Sequence, residues 1–306
     1  MRILFMGTPD FAVPSLNALL DTEHEVCGVF TQPDKPKNRG MKLQPTPVKA
    51  VALTHDIPVY QPATIKDGAA MEIIRQLDPE LIVVAAYGRI LPNEILEYPK
   101  YGCINVHSSL LPKFRGAAPI HWAVVSGETE TGVTIMHMAQ ELDAGDIIDQ
   151  AVTPIDPDES VETVHDRLAE MGGKLLVEVV EKLKAGTASR NPQDASEATY
   201  APMLSRELSA IDWKQSAKAI HDKIRGLSPW PAASTDIIHG TTIKIFGSSN
   251  LGESTSADAG TIVAAGKQGI DVACGDGRLL RITQLQAPGG KRMAAADYLR
   301  GHPLTL

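Results

Sequence analysis

The sequence predicts a doubly wound α/β domain with a mostly parallel sheet, followed by a small β-barrel domain. Three observations predict it. Residues 1–186 alternate short, near-continuously apolar runs with helix-length segments, the pattern of parallel strands covered on both faces. Residues 187–202, "TASRNPQDASEATYAP", are polar and carry no period, which is linker composition. Beyond them come four short β signals separated by Gly-rich turns. At 306 residues the chain is also long for a single core.

The elements follow in order. "RILFMG" is an apolar strand ended by Gly7, and "FAVPSLNALL" reads as a helix with Asp10 as its cap. "HEVCGVFTQ" is the next strand, "PVKAVALTH" a helix, "IPVYQP" a strand and "AAMEIIRQL" a helix. "ELIVVAAYG", "NEILEY" and "GCINVH" continue as strand, short helix and strand. After the helical "GAAPIHWAVVSG", the runs "TGVTIMHM" and "DIIDQAVTPI" read as a late hairpin closing the sheet edge. A long helix then runs to Gly186. The result is a Rossmann-like sheet. "AIDWKQSAKAIHDKIRGLSPWP" gives a helix stopped by Gly and Pro, and "AAADYLRG" the last helix. Between them "TTIKIFGSSN", "GTIVAAG", "GIDVACGDG" and "RLLRITQLQ" are the barrel strands, and the oligonucleotide-binding (OB) barrel is the commonest of that size. The boundaries expected are 1–188 for the catalytic domain, 189–205 for the linker and 206–306 for the OB-like domain.

Composition narrows the function. Hydrophobic content of 43% and charged content of 22% are those of a soluble globular protein. "MRILFMG" and "LIVVAAYGRIL" are too short to span a bilayer, so no membrane association is expected. Cys27, Cys103 and Cys274 lie far apart in apolar surroundings, which reads as buried core in a reducing cytoplasm. The net charge of −8 is uneven: residues 205–306 hold 12 Lys and Arg against 9 Asp and Glu. Residues 34–49 hold Lys35, Lys37, Arg39, Lys42 and Lys49 against Asp34 alone. That basic stretch, with Pro33 just before it and Pro36, Pro45 and Pro47 within it, suits either a phosphate-facing loop or a solvated surface segment, and the prolines argue against regular structure.

The chemistry concentrates at "GCINVHSSLLPKFRG". Side chains alternate along a strand, so Asn105 and His107 share a face. They fall at the carboxyl end, where open α/β sheets bind ligands. An Asn amide can donate to a developing oxyanion, and an imidazole can do the same or move a proton. Asp143 in "ELDAGD" can orient His107 and take a proton; Asp143 and Asp146 both also suit loop capping. Asn, His and Asp without a nucleophilic Ser or Cys suit attack by an external amine on an activated acyl group. The GxSxG, GxGxxG and HExxH patterns are absent, which argues against a serine hydrolase, a dinucleotide site and a zinc site.

The stretch from "GCINVHSSLLPKFRGAAPIHWAVVSG" through "LDAGDII" closely resembles the core of the 10-formyltetrahydrofolate-dependent formyltransferases. "MRILFMGTPDFAVPSL", "VFTQPDKPKNRGMKLQPTPVK" and "SPWPA" resemble the branch of that family that acts on methionyl-tRNA, and the resemblance runs essentially end to end. It implies Asn105, His107 and Asp143 as the catalytic set. It implies Ser109, Leu110, Leu111 and Pro112 along the folate site. Backbone from Tyr87 through Gly88, Arg89 and Ile90 to Leu91 is implied to hold the pterin. The implied co-substrate is 10-formyltetrahydrofolate, with no metal, and the implied acceptor is initiator methionyl-tRNA. A cytoplasmic monomer is expected. Lys35, Lys37, Arg39 and Lys42 are the candidate tRNA contacts, with the barrel holding the tRNA body. Ser108 departs from the Gly or Ala that many members carry, but stays small. Rival readings are a formyltransferase for glycinamide ribonucleotide or an amino-sugar nucleotide, and a non-catalytic RNA-binding module.

Overall fold

The computed structural model describes residues 1–37 and 42–305. Contacts divide the chain into two compact units: residues 1–116, 131–153 and 165–200 in one, and 117–130, 154–164 and 201–306 in the other.

The first unit is built on β1 (Arg2–Gly7), α1 (Val13–Leu20), β2 (Glu25–Phe30), β3 (Lys35–Lys37), β4 (Lys42–Gln44), α2 (Pro47–Thr54) and β5 (Val59–Tyr60). It continues through α3 (Ala69–Leu77), β6 (Leu81–Ala85), α4 (Asn93–Leu96), β7 (Cys103–His107) and β8 (Arg115–Gly116). Helix α5 (Pro119–Val125), grouped with the second unit, is followed by β9 (Glu130–His137), β10 (Ile147–Pro154) and α6 (Val161–Ala185).

The sheet has seven strands in the order β10-β9-β7-β6-β1-β2-β5. The pairs β1–β2, β1–β6, β2–β5 and β6–β7 are parallel, and β9 runs antiparallel to β7. The expected doubly wound sheet with late strands at one edge is what forms. The chain leaves β1 first toward β2 and later returns on its other side at β6. The carboxyl ends of β1 and β6 therefore flank the switch point where such sheets bind ligands. Strand β6, "LIVVA", is buried at every position, as a central parallel strand must be.

Two details place β7. Gly172 and Gly173 sit inside α6, where each glycine costs about 1 kcal/mol of helix propensity. A Cβ on Gly172 would stand 2.9 Å from Val106 Cγ1, and one on Gly173 2.8 Å from the Pro14 carbonyl. Gly172 lets the helix close onto the strand that carries Asn105 and His107, and Gly173 lets it close onto α1. The first helix departs from expectation: Asp10 opens a 3₁₀ turn, and α1 begins at Val13 with Ala12 at its N-cap position. Pro14 explains the shift, because a proline fits only the first turn, where its missing N–H is not needed.

The second unit adds α7 (Ala217–Gly226), β12 (Ala233–Thr235), β13 (Ile243–Ser254), β14 (Ile262–Gly266), β15 (Gly269–Ala273), β16 (Arg278–Gln286), β17 (Met293–Ala294) and α8 (Ala295–Gly301), after the short β11 (Tyr200–Ala201). The four expected strands are present, with the short β12 and β17 besides. These strands pair antiparallel, in the order β12-β13-β16-β15-β14 with β17 on β16, and Ala210 adds an isolated parallel bridge to Ser234. Ile220, Ile224, Ile243, Ile245, Val272 and Leu285 are among its core residues, and Trp213 donates its indole N–H to Thr235 Oγ1 at 2.9 Å.

The three cysteines are free and buried. Among the described residues no helix is long and apolar enough to cross a membrane. None of the described His, Cys, Asp and Glu residues form a group of three or more that could hold a metal ion.

Candidate active site

Strand β7 delivers two polar side chains into an apolar setting. Cys103, Ile104 and Val106 are buried, Asn105 is half-buried, and His107 is only 5% exposed. Burial pushes the Cys103 thiol up to about 12, so at neutral pH it is a protonated core residue and not a nucleophile. Across the ladder Asn105 faces Met136 and His107 faces Thr134 of β9.

His107 is oriented by one bond. Its Nε2–H donates to the Phe114 carbonyl at 3.0 Å; a carbonyl can only accept, so Nε2 carries the proton. Nδ1 then faces Asp143, with Oδ2 at 3.7 Å. That same Oδ2 accepts the Gly116 backbone N–H at 2.8 Å. Phe114 and Asp143 both take positive φ, 59° and 50°, a left-handed backbone that Asp tolerates better than most residues. Asp143 is thus aimed by its own backbone and held by a neighbouring amide.

The loop after β7 is braced from beneath. Thr134 Oγ1 donates to the Ser109 carbonyl at 2.7 Å and accepts the Leu111 N–H at 3.1 Å. Gln150 Nε2 donates to both the Leu111 carbonyl and Thr134 Oγ1. Ser109 is fully buried, with its hydroxyl donated to the Lys113 carbonyl, and Leu111 is 3% exposed. Leu110 and Pro112 are half-buried.

The segment after β6 takes two left-handed turns, at Ala86 (φ 46°) and Gly88 (φ 78°). Thr8, just past β1, and Gln32 both donate to the Tyr87 carbonyl, tying the two strand ends at the switch point together. Tyr87 Oη and Arg89 Nε are buried with no hydrogen-bond partner among the described residues. Leaving a buried polar atom unpaired costs about 1–3 kcal/mol, so such atoms mark where a polar ligand would be welcome. Burial raises the Tyr87 phenol from its ordinary value. Ile90 is 67% exposed, whereas Leu91 is buried.

The structure therefore brings His107 and Asp143 face to face, with Asn105 on the same side of β7. Asp146 pairs elsewhere, with Arg190 at 3.6 Å. The basic stretch differs from the loop expected there. Lys35–Lys37 and Lys42–Gln44 form a short antiparallel ribbon, which Pro36 permits because a two-stranded ribbon leaves one edge of each strand without ladder bonds. Lys35 is exposed, while Arg39 lies outside the described residues. Lys49 is committed to Asp34 at 2.6 Å and to Gln61 at 2.8 Å; the bonds Asp34 accepts from Lys49 and from Gln61 hold its carboxyl below its ordinary range.

Sequence reasoning missed Thr134, Gln150, Arg115 and Gln193. The first two were legible in principle, as polar residues in an edge pair opposite a polar strand end. Gln193 left no signal in a stretch of linker composition.

A family model described as "Formyl transferase" matches residues 1–180, and one described as "Formyl transferase, C-terminal domain" matches 203–303. The chain belongs to the formyltransferase family. A relative in Trichlorobacter lovleyi, named methionyl-tRNA formyltransferase, is 52% identical over 305 residues, covering 100% of this chain and 95% of its own. Among solved structures, the N-formyltransferase from Helicobacter canadensis in complex with folinic acid and dTDP-3-aminofucose aligns with a TM-score of 0.69. It is 19% identical, with 92% of this chain and 98% of that one covered. HypX from Aquifex aeolicus in complex with tetrahydrofolic acid aligns with a TM-score of 0.63 at 20% identity. That alignment covers 98% of this chain but only 47% of HypX, so the chain spans about half of that protein. At these identities the two structures speak for the formyltransferase fold alone.

Proposed function

We propose that the chain transfers the formyl group of 10-formyltetrahydrofolate to the amino group of initiator methionyl-tRNA, giving N-formylmethionyl-tRNA. The observation that carries this reading is the end-to-end identity of 52% with a protein named for that reaction. The strand-end cluster supports it. The unpartnered Tyr87 Oη and Arg89 Nε, with the exposed Ile90 beside them, suit a ring that is flat, apolar on its faces and polar at its edge.

The folate supplies the formyl carbon: the methionyl nitrogen forms its bond to that carbon as the bond to the folate nitrogen breaks, and one proton passes from the incoming nitrogen to the leaving one. Asn105 donates its amide N–H to the formyl oxygen as negative charge develops there. His107 keeps Nε2–H on the Phe114 carbonyl, so proton traffic falls to Nδ1, the nitrogen facing Asp143. Asp143 stabilises the imidazolium while it lasts and accepts a proton. The backbone of residues 87–91 and the loop of residues 109–112 hold the folate. Lys35, Lys37, Arg39 and Lys42 grip the acceptor arm, and the antiparallel-sheet domain holds the tRNA body by its phosphates. The reaction is then cytoplasmic and the enzyme a monomer.

The test is substrate-dependent consumption of 10-formyltetrahydrofolate by the pure protein. Consumption with methionyl-tRNA, and none with glycinamide ribonucleotide, an amino-sugar nucleotide or tRNA alone, is the expected result. Turnover with the sugar nucleotide and not with methionyl-tRNA would move the reading to that branch of the family.

A further inference from the structure

We propose that Gln193, held by Arg115, is a positioning residue that fixes the Asp143 loop for proton transfer. The inference rests on the reading of Asp143 given above. It concerns a side chain fifty residues away in sequence, in a stretch of linker composition.

The hydrogen-bond chemistry leaves one arrangement. Arg115 Nε and Nη2 donate to Gln193 Oε1 at 3.0 and 2.8 Å. A guanidinium has no acceptor, so the amide oxygen must face Arg115 and the amide nitrogen must face away. That nitrogen donates to the Asp143 carbonyl at 2.9 Å and the Gly145 carbonyl at 2.8 Å. Carbonyls only accept, so the assignment is consistent at both ends. Two of the amide's donors thus bracket Ala144.

The clamp grips the loop at the points that decide where the carboxylate goes. Asp143 sits at φ 50°, a conformation it keeps only while its surroundings hold it. Gly145 lies so close to the His137 carbonyl that a Cβ would stand 1.8 Å from it. Arg115 is 3% exposed, and its Nη1 also lies 3.7 Å from Glu141 Oε1. The next residue, Gly116, holds Asp143 Oδ2 through its N–H. Consecutive residues therefore fix one loop in two ways: Arg115 acts on its backbone through Gln193, and Gly116 acts on its carboxylate directly. A displacement of about 1 Å in such a group can cost on the order of 100-fold in rate.

A double-mutant cycle tests this. Gln193→Ala should lower kcat about 10- to 100-fold while leaving KM for 10-formyltetrahydrofolate near the parent value, and should lower the thermal midpoint as well, because the buried Arg115 loses its acceptor. In an Asp143→Ala background the same change should cost less than about 2-fold, because its effect passes through Asp143. Gln193→Glu keeps the acceptor for Arg115 and removes the donors, so it should lose kcat as Gln193→Ala does; it carries the test if the alanine variant fails to fold. Parent-like kcat in either Gln193 variant, or losses that multiply fully with Asp143→Ala, would overturn the inference. A parent-like Asp143→Ala enzyme would instead overturn the role given to Asp143, and that single variant separates the two failures.

Discussion

His107 donates Nε2–H to the Phe114 carbonyl at 3.0 Å, and this bond decides which nitrogen meets Asp143. Nδ1 is left facing the carboxylate at 3.7 Å, beyond hydrogen-bond distance but close enough for strong attraction once the ring is charged. His107→Ala and Asp143→Ala should each lower turnover by roughly 100-fold or more. If the two act as a unit, as proposed, the double variant should lose far less than the product. Asp146→Ala, whose carboxylate faces Arg190, should stay near the parent. Steady-state kinetics on the four proteins decides the matter. A large Asp146 defect beside a small Asp143 defect would mean the proton acceptor has been misassigned.

Asn105 is the only one of the three placed by the strand alone. Its neighbours Ile104 and Val106 are buried, and Val106 is pressed by the Gly172 turn of α6. If its amide donates to the formyl oxygen as proposed, Asn105→Ala should cost on the order of 100- to 1000-fold in kcat. Folate affinity, measured by fluorescence titration, should hardly change. Near-normal turnover would remove Asn105 from the oxyanion role.

The sheet was legible because its strands announce themselves. "LIVVA" and "CINVH" are apolar runs bounded by turn residues, and parallel strands covered on both faces have no other way to look. Asn105 and His107 stood out against that background. Asp10 misled because a good cap residue lay three positions before the helix that Pro14 actually fixes. The Lys35–Lys37 ribbon was hidden by its prolines. Gln193 was invisible for a different reason. It bonds to backbone carbonyls, and a backbone partner imposes no residue type at the other end for a reader to match.

Gly145 gives a steric prediction. A Cβ there would stand 1.8 Å from the His137 carbonyl oxygen, and neither side is a flexible side chain. Gly145→Ala must move the loop that carries Asp143. It should destabilise by about 1–3 kcal/mol, the usual scale of overpacking, and also depress kcat. Urea unfolding and turnover measured together should both respond. An unchanged midpoint with full activity would mean the loop yields freely.

Acid should weaken the fold before any carboxylate titrates. Burial lowers His24 and His137 from the ordinary value of 6.5; a neighbouring positive charge adds to this in each, the chain's amino terminus for His24 and Arg190 for His137. Folded-state values below the unfolded one mean that, as pH falls below 6.5, the unfolded chain binds protons that the folded chain refuses. Their contribution is therefore complete above 6.5 and is lost progressively at lower pH. The urea midpoint should drop as pH falls from about 6.5 towards 5.5. A His24→Gln/His137→Gln variant should drop less, and equal drops in the two proteins would show that the titrating groups lie elsewhere.

The basic ribbon is the last test. Lys35 is in register with Gln44 and Lys37 with Lys42 across it, so the sequence places lysines on both strands, while Lys49 is paired with Asp34. Cations on a narrow ribbon suit the phosphates of an acceptor arm better than they suit the folate, whose proposed contacts lie at residues 87–91 and 109–112. Each phosphate contact contributes roughly one unit to the log–log slope of affinity against salt. Replacing Lys35 and Lys42 with Ala should therefore weaken methionyl-tRNA binding and shallow that slope by about two units. KM for 10-formyltetrahydrofolate should stay at the parent value, because no folate contact is touched. Trypsin should cut between residues 35 and 42 quickly in the free protein and slowly with saturating methionyl-tRNA. Equal cleavage rates together with a parent salt slope would reduce the ribbon to solvated surface and move the tRNA contacts to another face.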